Sequence, residues 1–268
     1  MIKNLIAISS VYGPIQSWRM GSSLGIDLIM DPSTCSFNCT YCQLGFIQRI
    51  TSERKVYVST AKVLEDFKGS NWKEADVITF SGSGEPTLAL NLKEAISEIQ
   101  SITNHSKPIV ILTNGTLLNN PEVLNDVLNA DVISVKLDAP DEETLQAINR
   151  PASTVNLNDI VSGIKKLKQE FKGKVQLQIM FMPQNKNKID ELAKLINEVK
   201  PDEVALNTPT RPYPAGWDII TRGAHGEDIK KIKHDTKPLK MLTKDEAINI
   251  ELRLKELTGL PIISVYKK

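Results

Sequence analysis

Short runs of β-branched and aliphatic residues alternate along the chain with stretches whose apolar positions recur every three or four residues. The runs predict strands at Ile26–Met30, Val77–Phe80, Ile109–Leu112, Val132–Leu137, Val175–Phe181 and Glu203–Leu206, each closed by Gly, Asn, Asp or Pro. They are mostly apolar, the pattern of parallel strands covered on both faces. Between them, Leu92, Ala95, Ile96, Ile99 and Ile102 make one helical stripe, and Val123, Leu124, Val127 and Leu128, opened by Pro121, make another. Further stripes are Ile160, Ile164, Leu167, Phe171 and Ile189, Leu192, Leu195, Ile196, Val199. Near the end, Thr243 and Glu246 form a capping-box pattern ahead of Ala247–Leu257, with Gly259 as the stop.

Six strands alternating with helices imply consecutive right-handed βαβ units. Six is short of the eight in a closed barrel, so the expected class is α/β, a partial (β/α)6 TIM-like barrel. An open doubly wound sheet has the same periodicity and remains its competitor; in both, chemistry sits at the carboxyl ends of the strands. The expected organisation is an N-terminal extension over residues 1–24, the barrel over 25–209, and a short C-terminal α/β extension over 210–268.

Composition narrows this picture. Among 268 residues, 41% are apolar and 24% charged, enough to build a packed core and against disorder. A net charge of +1 argues against a wholly basic nucleic-acid coat, though not against a local basic patch. No apolar run approaches the roughly 18 residues that span a bilayer. The first ten residues lack a secretory h-region and cleavage site, so a cytoplasmic protein with no membrane partner is expected.

All three cysteines fall within eight residues, Cys35-Ser36-Phe37-Asn38-Cys39-Thr40-Tyr41-Cys42, directly after the first expected strand. An odd, clustered set cannot make a disulfide framework and reads as metal ligands in a reducing compartment. Zinc normally takes a fourth protein ligand, and His105, His225 and His234 lie far along the chain. A four-iron cluster tolerates three thiolates, leaving one iron open.

The C-x3-C-x2-C spacing, with an aromatic residue before the third cysteine, resembles the signature of radical S-adenosylmethionine (radical SAM) enzymes, as does its place after the first strand of a six-unit chain. The resemblance runs from about Gly25 to about Pro209. It implies a [4Fe-4S] cluster on Cys35, Cys39 and Cys42, whose open iron chelates S-adenosylmethionine. It further implies reductive cleavage to methionine and a 5′-deoxyadenosyl radical that abstracts hydrogen from substrate, with an electron donor such as flavodoxin or ferredoxin. Ser81-Gly82-Ser83-Gly84-Glu85-Pro86 looks like the family's glycine-rich motif, which holds the methionyl amino group. On the same resemblance Tyr41, Ser81, Gly82, Gly84, Glu85, Asn114, Asp138 and Asn207 are the candidate cofactor-binding residues. Lys136, Thr208 and Arg211 are further strand-end candidates. The fifth strand lacks the glycine-containing adenine motif of some members, and Met180 and Met182 are expected to fill the core.

Tyr12 to Gly25, together with Cys42-Gln43-Leu44-Gly45, resembles a branch of radical SAM proteins related to the tRNA-modifying wyosine synthases. This makes a tRNA base the leading substrate and tRNA a candidate partner. Arg222, Lys230, Lys231, Lys233, Lys237, Lys240 and Lys244 form a basic segment suited to a phosphate backbone or to plain solvation. Tyr213 and Trp217 lie close enough to stack on a base. Arg19 is a candidate anion ligand near the cluster, or one half of a structural ion pair. Two alternatives stand beside the tRNA reading: a radical SAM enzyme acting on a small metabolite or peptide, and a non-catalytic zinc- or iron-binding module. No catalytic side chain is singled out.

Overall fold

The computed structural model describes residues 8–209, 213–222, 235–237 and 239–266. Five of the six expected strands form where the apolar runs place them: β5 (Val77–Phe80), β6 (Ile109–Thr113), β7 (Val132–Lys136), β8 (Lys174–Met180) and β9 (Glu203–Asn207). The first strand is displaced. It forms at Gly21–Ile26 (β2), pairing in parallel with β5, while Asp27–Met30 bends away and Met30 takes a φ of +62°. The physical reason is that β2 borders a polar interior. Leu24 and Ile26 are buried, but Ser23 and Gly25 line a cavity, so the strand reads as polar and glycine-rich. Residue 24, the expected end of the N-terminal extension, therefore lies within a barrel strand.

Two strands outside the expected six join the sheet. β1 (Val11–Ser17) runs antiparallel to β2, and β12 (Ile262–Ser264) pairs in parallel with β9. The order is β1-β2-β5-β6-β7-β8-β9-β12, an eight-stranded sheet curled into a half-barrel, the partial TIM-like barrel of the sequence reading. Two-residue pairs complete the strands: β3 (Thr34–Cys35) with β4 (Arg49–Ile50), and β10 (Tyr213–Pro214) with β11 (Thr236–Lys237).

Helices α1 (Thr60–Lys68), α2 (Leu92–Ile102), α3 (Pro121–Val127), α4 (Glu142–Ile148), α5 (Leu157–Glu170) and α6 (Ile189–Val199) cover the outer face, with the last helix at Lys244–Thr258. Their buried stripes meet the outward-facing strand residues in one continuous core. The capping box on Thr243 and Glu246 is present, and Gly259 closes that helix in the left-handed region. β8 shows the division of labour: Val175, Leu177 and Ile179 are fully buried against the helices, while Gln178 and Met180 face the lumen. Among the described residues, no helix is long and apolar enough to cross a membrane.

Candidate active site in the barrel lumen

A cavity of about 390 Å³ occupies the lumen and runs from the turn between β1 and β2 to the carboxyl ends of the strands. Cys35, Cys39 and Cys42 all line it. They reach it because the loop after β2 is fixed at several points. Asp27 accepts the backbone N–H groups of Ile29 and Met30, both at 3.0 Å, and starts the turn. Asn38 N donates to Asn149 O and Thr40 N to Ile148 O, both 2.9 Å, tying the loop to the end of α4. Cys42 N donates to Cys39 O at 3.0 Å, a tight turn that carries both cysteines. Residues after the barrel cover the loop: Thr221 Oγ1 donates to Gln43 O at 2.6 Å and Asp218 N to Leu44 O at 3.1 Å.

The glycine-rich turn abuts this loop. Gly84 forms a bridge with Thr34, and a Cβ there would collide with the Thr34 carbonyl oxygen. Gly84 thus serves the close approach of two backbones and lies outside the cavity lining. Gly82, at φ +140°, does line the cavity; a Cβ would strike the Asp27 carboxylate. Asp27 also accepts Ser83 N at 3.0 Å and is paired at 2.7 Å with Arg222, both side chains buried. Arg222, expected in a basic surface segment, is instead an internal strut. Lys230, Lys231, Lys233 and Arg211 lie outside the described residues.

The remaining candidates divide in two. Glu85 lines the cavity but is 2% exposed, and its carboxylate accepts four protein donors: Thr113 Oγ1 at 2.6 Å, Thr87 Oγ1 at 2.7 Å and Thr87 N at 3.1 Å on Oε1, and Asn114 N at 2.7 Å on Oε2. Burial raises its pKa and those hydrogen bonds oppose the shift. Asp138 is equally enclosed, accepting Met180 N and Asn149 Nδ2 at 2.7 Å each and the Tyr41 hydroxyl; it does not reach the cavity. Tyr41 does line the cavity, and burial beside Asp138 pushes its hydroxyl well above the usual phenol range. Ser81 shares a 2.8 Å hydrogen bond with Tyr12, and Asn114 Nδ2 donates to Ser36 at 2.8 Å and lies 3.5 Å from Cys35 Sγ. Asn207, at the end of β9, differs from these. Its Oδ1 is buried on the cavity wall and has no partner among the described residues.

Sequence reasoning missed an inner row. Ser134, Gln176 and Glu203 are successive register partners on β7, β8 and β9. Ser134 Oγ donates to Gln176 Oε1 at 2.9 Å, and Gln176 Nε2 to Glu203 at 2.6 Å. Arg19 enters beside them from the turn between β1 and β2. The available signal was polar residues at even spacing within apolar runs: Ser134 and Lys136 or Gln176 and Gln178, two apart, and Glu203 and Asn207, four apart. Tyr213 lines the cavity, and the buried indole N–H of Trp217 has no partner among the described residues.

The cysteine set suits a metal cluster. None of the three is in a disulfide, and all three come from one loop facing one cavity. Among the described residues, no three Cys, His, Asp or Glu side chains gather round a single-ion position. A tetrahedral ion needs its sulfurs within about 4 Å of each other; the thiolates of a multi-iron cluster each take a different iron. Burial raises the pKa of Cys35 and Cys39, with Glu85 adding to the first and Lys136 opposing the second.

A half-barrel with this loop at its rim defines a class, and the chain belongs to the radical SAM superfamily, whose profile matches residues 31–196. Within that class it is similar to the UPF0026 protein slr1464 of Synechocystis, 46% identical over 217 residues that span 81% of each chain. The fold is similar to TYW1, whose structure has a lysine–pyruvate adduct bound, at a TM-score of 0.60, 16% identity, 89% of this chain and 75% of that one. It is also similar to SuiB of Streptococcus suis bound to S-adenosylmethionine, at 0.61 and 14% identity over 87% of this chain and 48% of that one.

Proposed function

We propose that this enzyme holds a [4Fe-4S] cluster on Cys35, Cys39 and Cys42 and binds S-adenosylmethionine in the lumen beside it. The observation that carries the reading is the convergence of all three cysteines on a cavity that also contains the glycine-rich turn and the unpartnered Asn207 Oδ1. Together, when bound and given one electron by a flavodoxin or ferredoxin, cluster and cofactor supply a 5′-deoxyadenosyl radical, with methionine as co-product, that takes a hydrogen atom from substrate.

The chain's own residues do the positioning. Gly82 and Ser81 shape the wall where the methionyl end rests. Glu85 secures the ends of β5 and β6 by binding Thr87, Thr113 and Asn114. Asp138 and Asn149 orient Tyr41 next to Cys39. Asn207 offers an acceptor suited to the adenine amino group. The half-barrel walls and the covering segment around Thr221 restrict water, which suits a reactive radical.

A tRNA base is the first reading of the substrate, supported by the branch resemblance and by Tyr213 on the cavity wall. A small metabolite is the second, favoured by the polar inner row beneath the rim. The cofactor reading is tested by assaying 5′-deoxyadenosine from reduced, iron-reconstituted protein. Slow release is expected, and Cys39→Ala should abolish it together with the bound iron; a full four-iron complement in Cys39→Ala would refute the assignment. Binding of tRNA that weakens steeply with salt supports the first substrate reading, and its absence supports the second.

A further inference from the structure

We propose that the floor of the lumen is a subsite for the carboxylate of a small-molecule substrate, anchored by the Arg19 guanidinium. The fate of that ligand rests on the radical SAM reading; its binding does not.

Arg19 is a charged group without a counter-ion. Among the described residues, no carboxylate lies within 4.0 Å of it, and its buried Nε has no hydrogen-bond partner. Its contacts to Ser134 Oγ and Gln176 Oε1 are both 3.3 Å, long for N–H···O bonds. Glu203, the acid acting on it, is already held by Gln176 at 2.6 Å and Lys174 at 2.9 Å. Burial lowers the Arg19 pKa only to about 10, so it stays cationic at neutral pH. A buried guanidinium ordinarily meets a carboxylate with two parallel donors. Here that fork stands on the wall of a cavity and lacks its acid.

Depth selects the ligand. The Ser134–Gln176–Glu203 row lies four residues below the Met180–Asn207 row in the β8–β9 register, on the order of 13 Å along the strands. A ligand on Arg19 would thus sit beneath the rim where the cysteines gather, inside the same cavity. Between the two levels Lys136 and Gln178, register partners on β7 and β8, line the cavity with polar groups. About 390 Å³ shared with a cofactor admits a small molecule there and not a polymer backbone. These features point to a compact acid with one carboxylate on Arg19 and its remaining atoms directed up the lumen.

The probe is ¹³C-carboxyl pyruvate, with malonate as a second acid and pyruvamide as the neutral analogue, observed by NMR on the full chain. Titrations are run with and without iron reconstitution and S-adenosylmethionine. The expected result is saturable binding below about 10 mM, weakened about tenfold to a hundredfold in Arg19→Gln and less in Arg19→Lys. Pyruvamide should not compete. Equal binding by wild type and Arg19→Gln, equal competition by pyruvamide, or no saturable binding of either acid in any state would overturn the subsite. Should Arg19→Gln fail to fold, pyruvamide competition on the wild type decides the matter. Deoxyadenosine release from the same preparation separates the two readings. Cleavage without acid binding removes only this subsite; acid binding without cleavage removes only the cofactor assignment.

Discussion

The two walls of the lumen are built on opposite plans. On the β5–β6 side every strong acceptor is already satisfied: Glu85 takes donors from two threonines and the Asn114 backbone, and Asn114 spends its amide on Ser36. On the β8–β9 side atoms are left over, namely Asn207 Oδ1 on the rim and Arg19 Nε below it. A buried polar group bonded within the protein fixes backbone, whereas one left unbonded carries a standing desolvation cost that a ligand relieves. The carboxylate and amide side chains of the first wall therefore chiefly hold the scaffold together, and on the proposed function the second is the receptor wall. Residue type alone does not tell them apart, since both walls offer polar side chains at strand ends.

Substitutions sharpen this contrast. The largest effect is expected at the buried Asp27–Arg222 pair, which braces the glycine-rich turn. Asp27→Ala leaves Arg222 buried without its partner and should cost about 3–5 kcal/mol in urea unfolding. Arg222→Met should cost less, about 1–2 kcal/mol, because Asp27 keeps the N–H groups of Ile29, Met30 and Ser83. Equal losses would mean that the pair, not the turn it organises, is what Asp27 supports.

Glu85 and Asn207 form the next test, because they should fail in opposite ways. Glu85→Ala orphans several buried donors and should lower stability by about 3 kcal/mol, weakening S-adenosylmethionine binding while the iron content stays intact. Asn207→Ala removes an acceptor that has no protein donor, so stability should change by less than about 1 kcal/mol. Its cofactor affinity should nonetheless fall about tenfold by calorimetry. A reversal of this order would erase the distinction between the walls.

The smallest effect lies outside both walls. Lys186 donates to Glu246 at 2.6 Å, and the Thr243 N–H adds a second bond, holding the Glu246 carboxyl down to about 2. A depressed folded-state pKa stabilises above the unfolded value of about 4.3, and that contribution disappears as pH falls towards 2. Glu246→Gln should therefore lower the melting temperature slightly at pH 6 and converge with wild type near pH 2. A gap that persists at pH 2 would assign the effect to packing.

Much of this architecture could be read from residue order. Apolar runs located β5 to β9, and the cysteine spacing located the rim. The misplaced first strand and the unread inner row share one cause. A half-barrel around a polar lumen needs strands with one wet face, so Gly21–Ile26 looks too polar and Ser134, Gln176 and Glu203 look incidental. α1 buries only Val63 and Phe67, and the buried face of α4 includes Thr144 beside Leu145 and Ile148, so neither carries a full apolar stripe. Glu85 and Asp138 were expected to touch cofactor because the glycine-rich motif and the polar strand ends resemble the family's cofactor-holding positions. Only the hydrogen-bond partners show that Asp138 is spent on Tyr41, Asn149 and Met180, and that Glu85 chiefly fastens two strands. Arg222, read as one of a basic series, folds back 195 residues to Asp27, a distance no local pattern conveys.

The central claim is that the cysteine rim and the receptor wall form one site, and electron paramagnetic resonance of the reduced, reconstituted protein tests it most directly. A four-iron signal whose spectrum shifts on adding S-adenosylmethionine is the predicted result, with a weaker shift at equal cofactor concentration in Asn207→Ala. A four-iron signal indifferent to S-adenosylmethionine, or no such signal in wild type, would contradict it.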